Sequence, residues 1–195
     1  MYKGDNIKAQ NILELQQRIA EYEDSVAYKK LFFLFFLPLK NFSYSILKSN
    51  ESAEEVVSDV FVEIWARRKR LLEIEDLKMY LYVSVRNASL RCLQQTQKTK
   101  TFSLDDLEVT FATPDLDAID SIMSKELVCK IEKAIEQLPP QCKIIFKLAK
   151  EDKLKYKEIA QLLSISVKTI DNQLSTALKK IASVLNLPVN RTIIK

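Results

Sequence analysis

The chain of 195 residues contains no histidine and a single glycine, Gly4. Without histidine the commonest general base and the commonest metal ligand are missing, so most hydrolytic mechanisms lack their usual residue. With glycine confined to position 4, no glycine-rich phosphate loop is possible. One glycine and five prolines also argue against a turn-rich β architecture. Cysteine is scarce as well. Cys92, Cys129 and Cys142 are odd in number and have no metal-like spacing, which suits buried apolar side chains in a reducing cytoplasm. The most apolar run, Leu31–Leu39, is far short of the roughly 20 residues that a bilayer takes, and it contains Pro38. A helix that bends or ends at Pro38 and is buried against neighbours is expected there. The leader MYKGDNIKAQ is polar, without the pattern of a signal peptide.

What is present points to helices. The hydrophobic fraction of 47% can supply real cores, the 29% charge suits a soluble protein, and Leu, Ile, Lys and Glu dominate. The fold class expected is all-α, with two small helical domains joined by an acidic linker. Charge is unevenly spread. Residues 1–97 carry 14 basic and 13 acidic groups, 98–124 carry 2 and 6, and 125–195 carry 14 and 7. The positive excess therefore sits in the last third, as binding to a polyanion requires.

Along the chain, Ile12, Leu15, Ile19 and Tyr22 give an amphipathic first helix, followed by the apolar run continuing to Leu47. Ser52-Ala53-Glu54-Glu55 has capping-box spacing and opens a helix whose buried face is Val56, Val57, Val60, Phe61, Ile64 and Trp65. Glu55, Ser58, Asp59 and Glu63 face outward, a pattern shared by docking faces and by ordinary solvated ones. A further helix from Leu77 to about Gln95 turns Leu77, Leu81, Ser84 or Val85, and Ala88 inward. It presents Tyr80, Ser84, Asn87, Arg91 and Gln94, the aromatic and basic mixture that unpaired nucleic acid favours, although the tyrosines fit simple packing too. Periodicity then fails over 98–124, which reads as an acidic linker. A helix is expected at Lys125–Gln137, then a break at Leu138-Pro139-Pro140 and a helix over Gln141–Lys150.

Tyr156–Leu185 carries the strongest signal. Ile159, Ala160 and Leu163 mark one short helix, Ser164-Ile165-Ser166 a turn with Ser166 as N-cap, and Val167, Ile170, Leu174, Ala177, Leu178 and Ile181 the inner face of a longer one. Opposite lie Lys168, Thr169, Asn172, Gln173, Thr176, Lys179 and Lys180, with Asp171 the one acid nearby. Amides, hydroxyls and ammonium groups suit base edges and phosphates in a major groove. A helix-turn-helix explains this stripe better than a plain amphipathic hairpin with a solvated face.

Together these segments resemble the extracytoplasmic-function sigma factors, the two-domain branch of the sigma-70 family. Ala53–Trp65, AEEVVSDVFVEIW, looks like the family's polymerase-binding helix. Met79–Leu93, with Arg86-Asn87, is similar to its promoter-melting and minus-ten helix. Leu138-Pro139-Pro140, Tyr156–Ala160 and Val167–Ile170 match its minus-thirty-five domain. The family usually has glycine where Ser164 stands and near Lys153. If those positions need positive φ, each non-glycine residue costs on the order of 1 kcal/mol. Arg91-Cys92 also stands where Asp-Arg is common.

The resemblance implies domains at 1–97 (polymerase binding and minus-ten recognition) and 125–188 (a four-helix domain for minus-thirty-five recognition), with 98–124 as linker and 189–195 as tail. It implies a non-enzymatic cytoplasmic factor with no cofactor and no small-molecule substrate. Its partners would be the β′ and β subunits of core RNA polymerase, promoter DNA and an anti-sigma factor, in many members membrane-bound. Glu55, Ser58, Asp59 and Glu63 would bind polymerase; Tyr80, Arg86, Asn87 and Arg91 the minus-ten element. Lys168, Thr169, Asn172, Gln173 and Thr176 would read the minus-thirty-five element, with Lys179 and Lys180 on phosphates. The linker would lie in the polymerase's RNA-exit and active-site channels. The competing reading is a stand-alone helix-turn-helix regulator with an N-terminal dimerisation or ligand domain, which leaves Ser52–Trp65 and Arg86-Asn87 unexplained.

Overall fold

The computed structural model describes residues 3–96 and 122–185, so the expected linker, apart from its last three residues, and the tail lie outside the described residues. Every regular element among the described residues is helical, and the chain divides into two compact units, Met1–Lys100 and Thr101–Lys195.

In the first unit α1 spans Lys3–Tyr22 and buries Leu15, Ile19 and Ala20, while Tyr22, expected inside, is exposed. Glu23 then takes a left-handed conformation, φ 51°, and Asp24 caps α2 by accepting the Val26 and Ala27 N–H groups at 2.8 and 3.0 Å. Its other carboxylate oxygen accepts Arg18 Nη2 at 2.6 Å. The cap's backbone donors first, and Arg18 next, hold the Asp24 carboxyl below its ordinary value.

Helix α2 runs from Ser25 to Leu47, straight through Pro38. The expected bend or stop does not occur, because Leu31, Phe35, Leu39, Phe42 and Ile46 lie at helical spacing and their burial outweighs one missing backbone bond. By length and composition α2 could cross a membrane. Its inner face is instead the middle of the unit, packed on both α3 (Asn50–Ala66) and α4 (Leu77–Thr96). Phe32 meets Phe61 edge-on at 4.9 Å, Phe42 meets Tyr82 at 5.3 Å, and the buried Ser43 and Ser89 hydroxyls pair at 2.8 Å.

One helix start in this unit differs from the sequence reading. Helix α3 is capped by Ser49, whose hydroxyl accepts Ser52 N–H at 3.2 Å, so Ser52 is inside the helix. Ser49 and Ser52 are equivalent caps by residue type, and Asn50-Glu51 accept helical geometry, so the earlier start wins. On α3 the expected buried face is found, except that Trp65 is half-buried. On α4 the fully buried positions are Leu77, Leu81, Tyr82, Val85 and Ser89, with Ala88 only half-buried.

The second unit holds α5 (Ile122–Glu136), α6 (Pro140–Lys150), α7 (Tyr156–Leu163) and α8 (Val167–Val184). Helix α5 begins three residues before the expected Lys125, and Pro140 is the first residue of α6, where its missing N–H costs nothing. Helix α8 packs on α5, α6 and α7. Ala177 and Ile181 share a cluster with Ala134, Ile135, Leu138 and Cys142, while Ile159, Leu162 and Leu163 are buried on α7. Lys153 and Ser164 both have φ 57°, in the left-handed region that favours glycine. The Lys147 ammonium is buried 3.9 Å from Glu151; burial pushes its pKa down, opposed by Glu151 and Asp152.

Candidate polymerase and nucleic-acid interfaces

The α3 polar face follows from its apolar one. With Val56, Val57, Val60, Phe61 and Ile64 buried against α2 and α4, helical geometry puts Glu55, Asp59 and Glu63 on one exposed line at spacings of four. Ser58 is half-buried beside it. Glu63 pairs with Arg67 at 3.2 Å and Glu54 with Lys40 at 2.7 Å, while no ion pair among the described residues holds Glu55 or Asp59. The line therefore offers two uncommitted carboxylates on a rigid helix, suited to a basic partner surface.

On α4, Tyr80, Asn87 and Arg91 are exposed and share one stripe with Ser84 and Gln94, since their spacings of 7, 4 and 3 close on helical turns. Arg86 does not belong to that stripe. It sits about a third of a turn away and is half-buried, its Nη1 3.5 Å from the side-chain Oδ1 of Asn87. Three of the four expected minus-ten residues thus come together. Asp76 starts the helix, its Oδ1 accepting Met79 N–H at 2.9 Å.

On α8, Ile170, Leu174, Ala177 and Ile181 are buried, and Lys168, Asn172, Thr176, Lys179 and Lys180 are exposed on the other side. Val167, expected inward, is exposed, and Leu178 is half-buried. Ser166 caps the helix through Thr169 N–H at 3.0 Å, and its hydroxyl also pairs with that of Thr169 at 2.8 Å. Thr176 donates to Asn172 O at 3.0 Å, which leaves its oxygen as an acceptor.

Gln173 is the exception on this stripe. It is half-buried and faces α6: its Nε2 donates to Gln141 Oε1 at 2.8 Å, and its Oε1 accepts the Cys142 thiol at 2.6 Å. Burial pushes the Cys142 thiol pKa up, with Lys180 pulling weakly the other way, so it stays a neutral donor. No sequence period signals this amide pair, which spans 32 residues. Among the described residues no cluster of three or more metal-ligating side chains occurs.

These two helical units carry known family signatures. Residues 37–99 match the model of sigma-70 region 2, and residues 130–181 match that of sigma-70 region 4; together they span more than half of the chain. No curated protein sequence matches it. Among solved structures the chain is similar to CnrH in complex with the cytosolic domain of CnrY, at 16% identity over 91% of this chain and 97% of that one, with a TM-score of 0.49. It is also similar to the sigma factor RpoE in complex with the anti-sigma factor NepR from Bartonella quintana. There the identity is 19% over 83% of this chain and 98% of that one, and the TM-score is again 0.49. A stand-alone helix-turn-helix regulator has no use for a region 2. The acidic helix, the Arg-Asn helix and the helix-turn-helix fall inside the two matched regions in their proper order, and the chain belongs to the sigma-70 family of RNA polymerase sigma factors.

Proposed function

We propose that this sigma factor is of the extracytoplasmic-function type, with one unit that docks on polymerase and melts the minus-ten element and a second that reads the minus-thirty-five element. The domain limits would be 1–97 and 125–188, joined by 98–124. As a sigma factor it has no catalytic chemistry of its own and brings promoter specificity to core RNA polymerase. The observation that carries the division of labour is the pair of exposed stripes of opposite character. One is the acidic line on α3 and the other the amide, hydroxyl and ammonium line on α8.

In this reading Glu55, Ser58, Asp59 and Glu63 meet a basic surface of the β′ subunit. Tyr80, Asn87 and Arg91 engage unstacked minus-ten bases, the ring stacking and the polar groups bonding to base edges. Arg86, from its separate position, takes the adjoining backbone phosphate. Lys168, Thr169, Asn172 and Thr176 read the minus-thirty-five bases, and Lys179 and Lys180 neutralise phosphates. Gln173 reaches a base only by exchanging its bond to Gln141 for one to a base edge, an exchange of like for like. The place of action is the cytoplasm, where the polymerase is. An anti-sigma factor covers these surfaces until a signal releases them; the sigma factor RpoE of Bartonella quintana was solved in complex with the anti-sigma factor NepR.

Run-off transcription with core polymerase and a genomic promoter library tests the reading. Transcription from a defined promoter class without any other sigma factor is expected. Tight binding of duplex DNA as a stable dimer, with no association with core polymerase, would overturn it.

A further inference from the structure

Helix α1 lies outside the region 2 match, which begins at residue 37. Besides α2, it packs on the short 3-10 turn Arg68–Glu73 that leads from α3 towards α4. At the centre of that contact is Gln16, only 3% exposed. Its Nε2 donates to Ile74 O at 2.7 Å and also to Leu71 O, so both amide hydrogens are used. Leu71 O additionally accepts Ile74 N–H at 3.1 Å, which makes the amide part of a closed turn. Two residues further on, Asp76 caps α4 and its carbonyl accepts Tyr80 N–H at 3.0 Å.

The other end of the connector is held from the same side. Glu23, in the turn that follows α1, pairs with Arg68, whose guanidinium lies over the Trp65 ring at 5.2 Å and donates to Trp65 O at 3.2 Å. The segment between the docking helix and the melting helix is therefore gripped at its start by an ion pair and near its end by a buried amide.

We infer that Gln16 is a positioning residue for promoter opening. By bridging the Leu71 and Ile74 carbonyls it fixes the direction in which α4 leaves α3, and with it the placement of Tyr80, Asn87 and Arg91 relative to the polymerase-docking face. The inference rests on the minus-ten role proposed for α4. Its chemistry is specific: two buried carbonyls need two hydrogens, and an uncharged amide of this length supplies both. Methionine at position 16 fills the same space with no donor, and glutamate puts carboxylate oxygens against the carbonyls.

The test compares the full-length protein with Gln16→Met and Gln16→Glu. Amide hydrogen exchange should rise by about tenfold or more over residues 70–80, with α2 and α3 unchanged. Core-polymerase affinity should stay at the wild-type level, while the rate of minus-ten opening, followed by permanganate reactivity of unpaired thymines, falls by a similar factor. Unchanged exchange over 70–80, a uniform rise across the unit, or a normal opening rate with the connector loosened would each overturn the inference. Failure of the wild-type protein to open any promoter would instead count against the minus-ten role itself, and the exchange comparison would still decide whether the clamp exists.

Discussion

The two units fix their functional helices by different means. Helix α8 is seated by an apolar stripe, Ile170, Leu174, Ala177 and Ile181, and its entry is set by a three-residue turn and a serine cap. Apart from its packing on α5 and α6, what aims it is local, except for the bonds of Gln173 to Gln141 and Cys142. Helix α4 has a broken apolar face, with buried Tyr82 and Ser89 among its aliphatic residues, and the turn before it is held by Gln16, 58 residues upstream of Ile74. A helix aimed by periodicity tolerates surface change, whereas one aimed by a few polar contacts depends on each of them.

The largest effect should come from the α8 surface. Lys179→Glu with Lys180→Glu leaves the buried stripe intact, so the fold should be kept. Promoter affinity should fall by one to two orders of magnitude, roughly, and the salt dependence of binding should lose about two counterions. Retained promoter activity would show that this face is merely solvated, and the contrast between the units would lose its functional side.

Next is the docking line on α3. Asp59 is exposed and forms no ion pair among the described residues, so Asp59→Lys should leave thermal stability near wild type and weaken core-polymerase binding by about tenfold. Competition between variant and wild type for limiting core polymerase reads this directly. Equal competition would remove Asp59 from the interface.

How legible each unit was in the sequence follows the same division. The α8 stripe, its serine cap and the α3 faces all come from residue type at helical spacing, and the structure departs from them at Val167, Thr169, Gln173 and Leu178 on α8 and at Ser58 and Trp65 on α3. The places that escaped are those where one residue type serves two roles or where partners are distant. Ser49 and Ser52 are equally good caps, and only packing chooses between them. Tyr82 and Tyr80 look alike in sequence, yet one is wholly buried against Phe42 and the other exposed. Gln16 and the Gln141 side chain drew no reading from the sequence, because a polar residue satisfied by distant carbonyls or amides has no local pattern. Pro38 misled in the opposite direction, since a local rule about helix breaking gave way to burial along the whole of α2.

Gln173 sharpens the comparison because it is the one distant polar contact of α8. Gln173→Ala should cost about 1 kcal/mol of discrimination at a single minus-thirty-five position, the low end for a base contact, because the wild-type side chain gives up Gln141 to make it. Binding measured across all single-base promoter variants distinguishes this from an equal loss at every position. An equal loss would mean that Gln173 seats α8 on α6 and reads nothing.

The smallest effect concerns the turns. Four non-glycine residues, Glu23, Lys48, Lys153 and Ser164, stand at positive φ among the described residues, two in each unit. In the second unit they flank α7, the shortest of the α-helices, so strain is concentrated around the helix-turn-helix. A left-handed residue with a Cβ costs about 1–2 kcal/mol, and glycine loses about 0.5–1 kcal/mol of that advantage through the greater freedom of its unfolded chain. Lys153→Gly, at an exposed position, should therefore stabilise the second unit by about 0.5–1 kcal/mol and raise its melting temperature by a few degrees, about 4–8 °C at most. Ser164→Gly, at the same φ, should act in the same direction. Promoter selectivity should be unchanged in both, since neither residue lies on the reading stripe of α8. A lower melting temperature for Lys153→Gly would mean that the lysine side chain contributes more than its backbone strain costs, and that the second unit is not held by its apolar stripe alone.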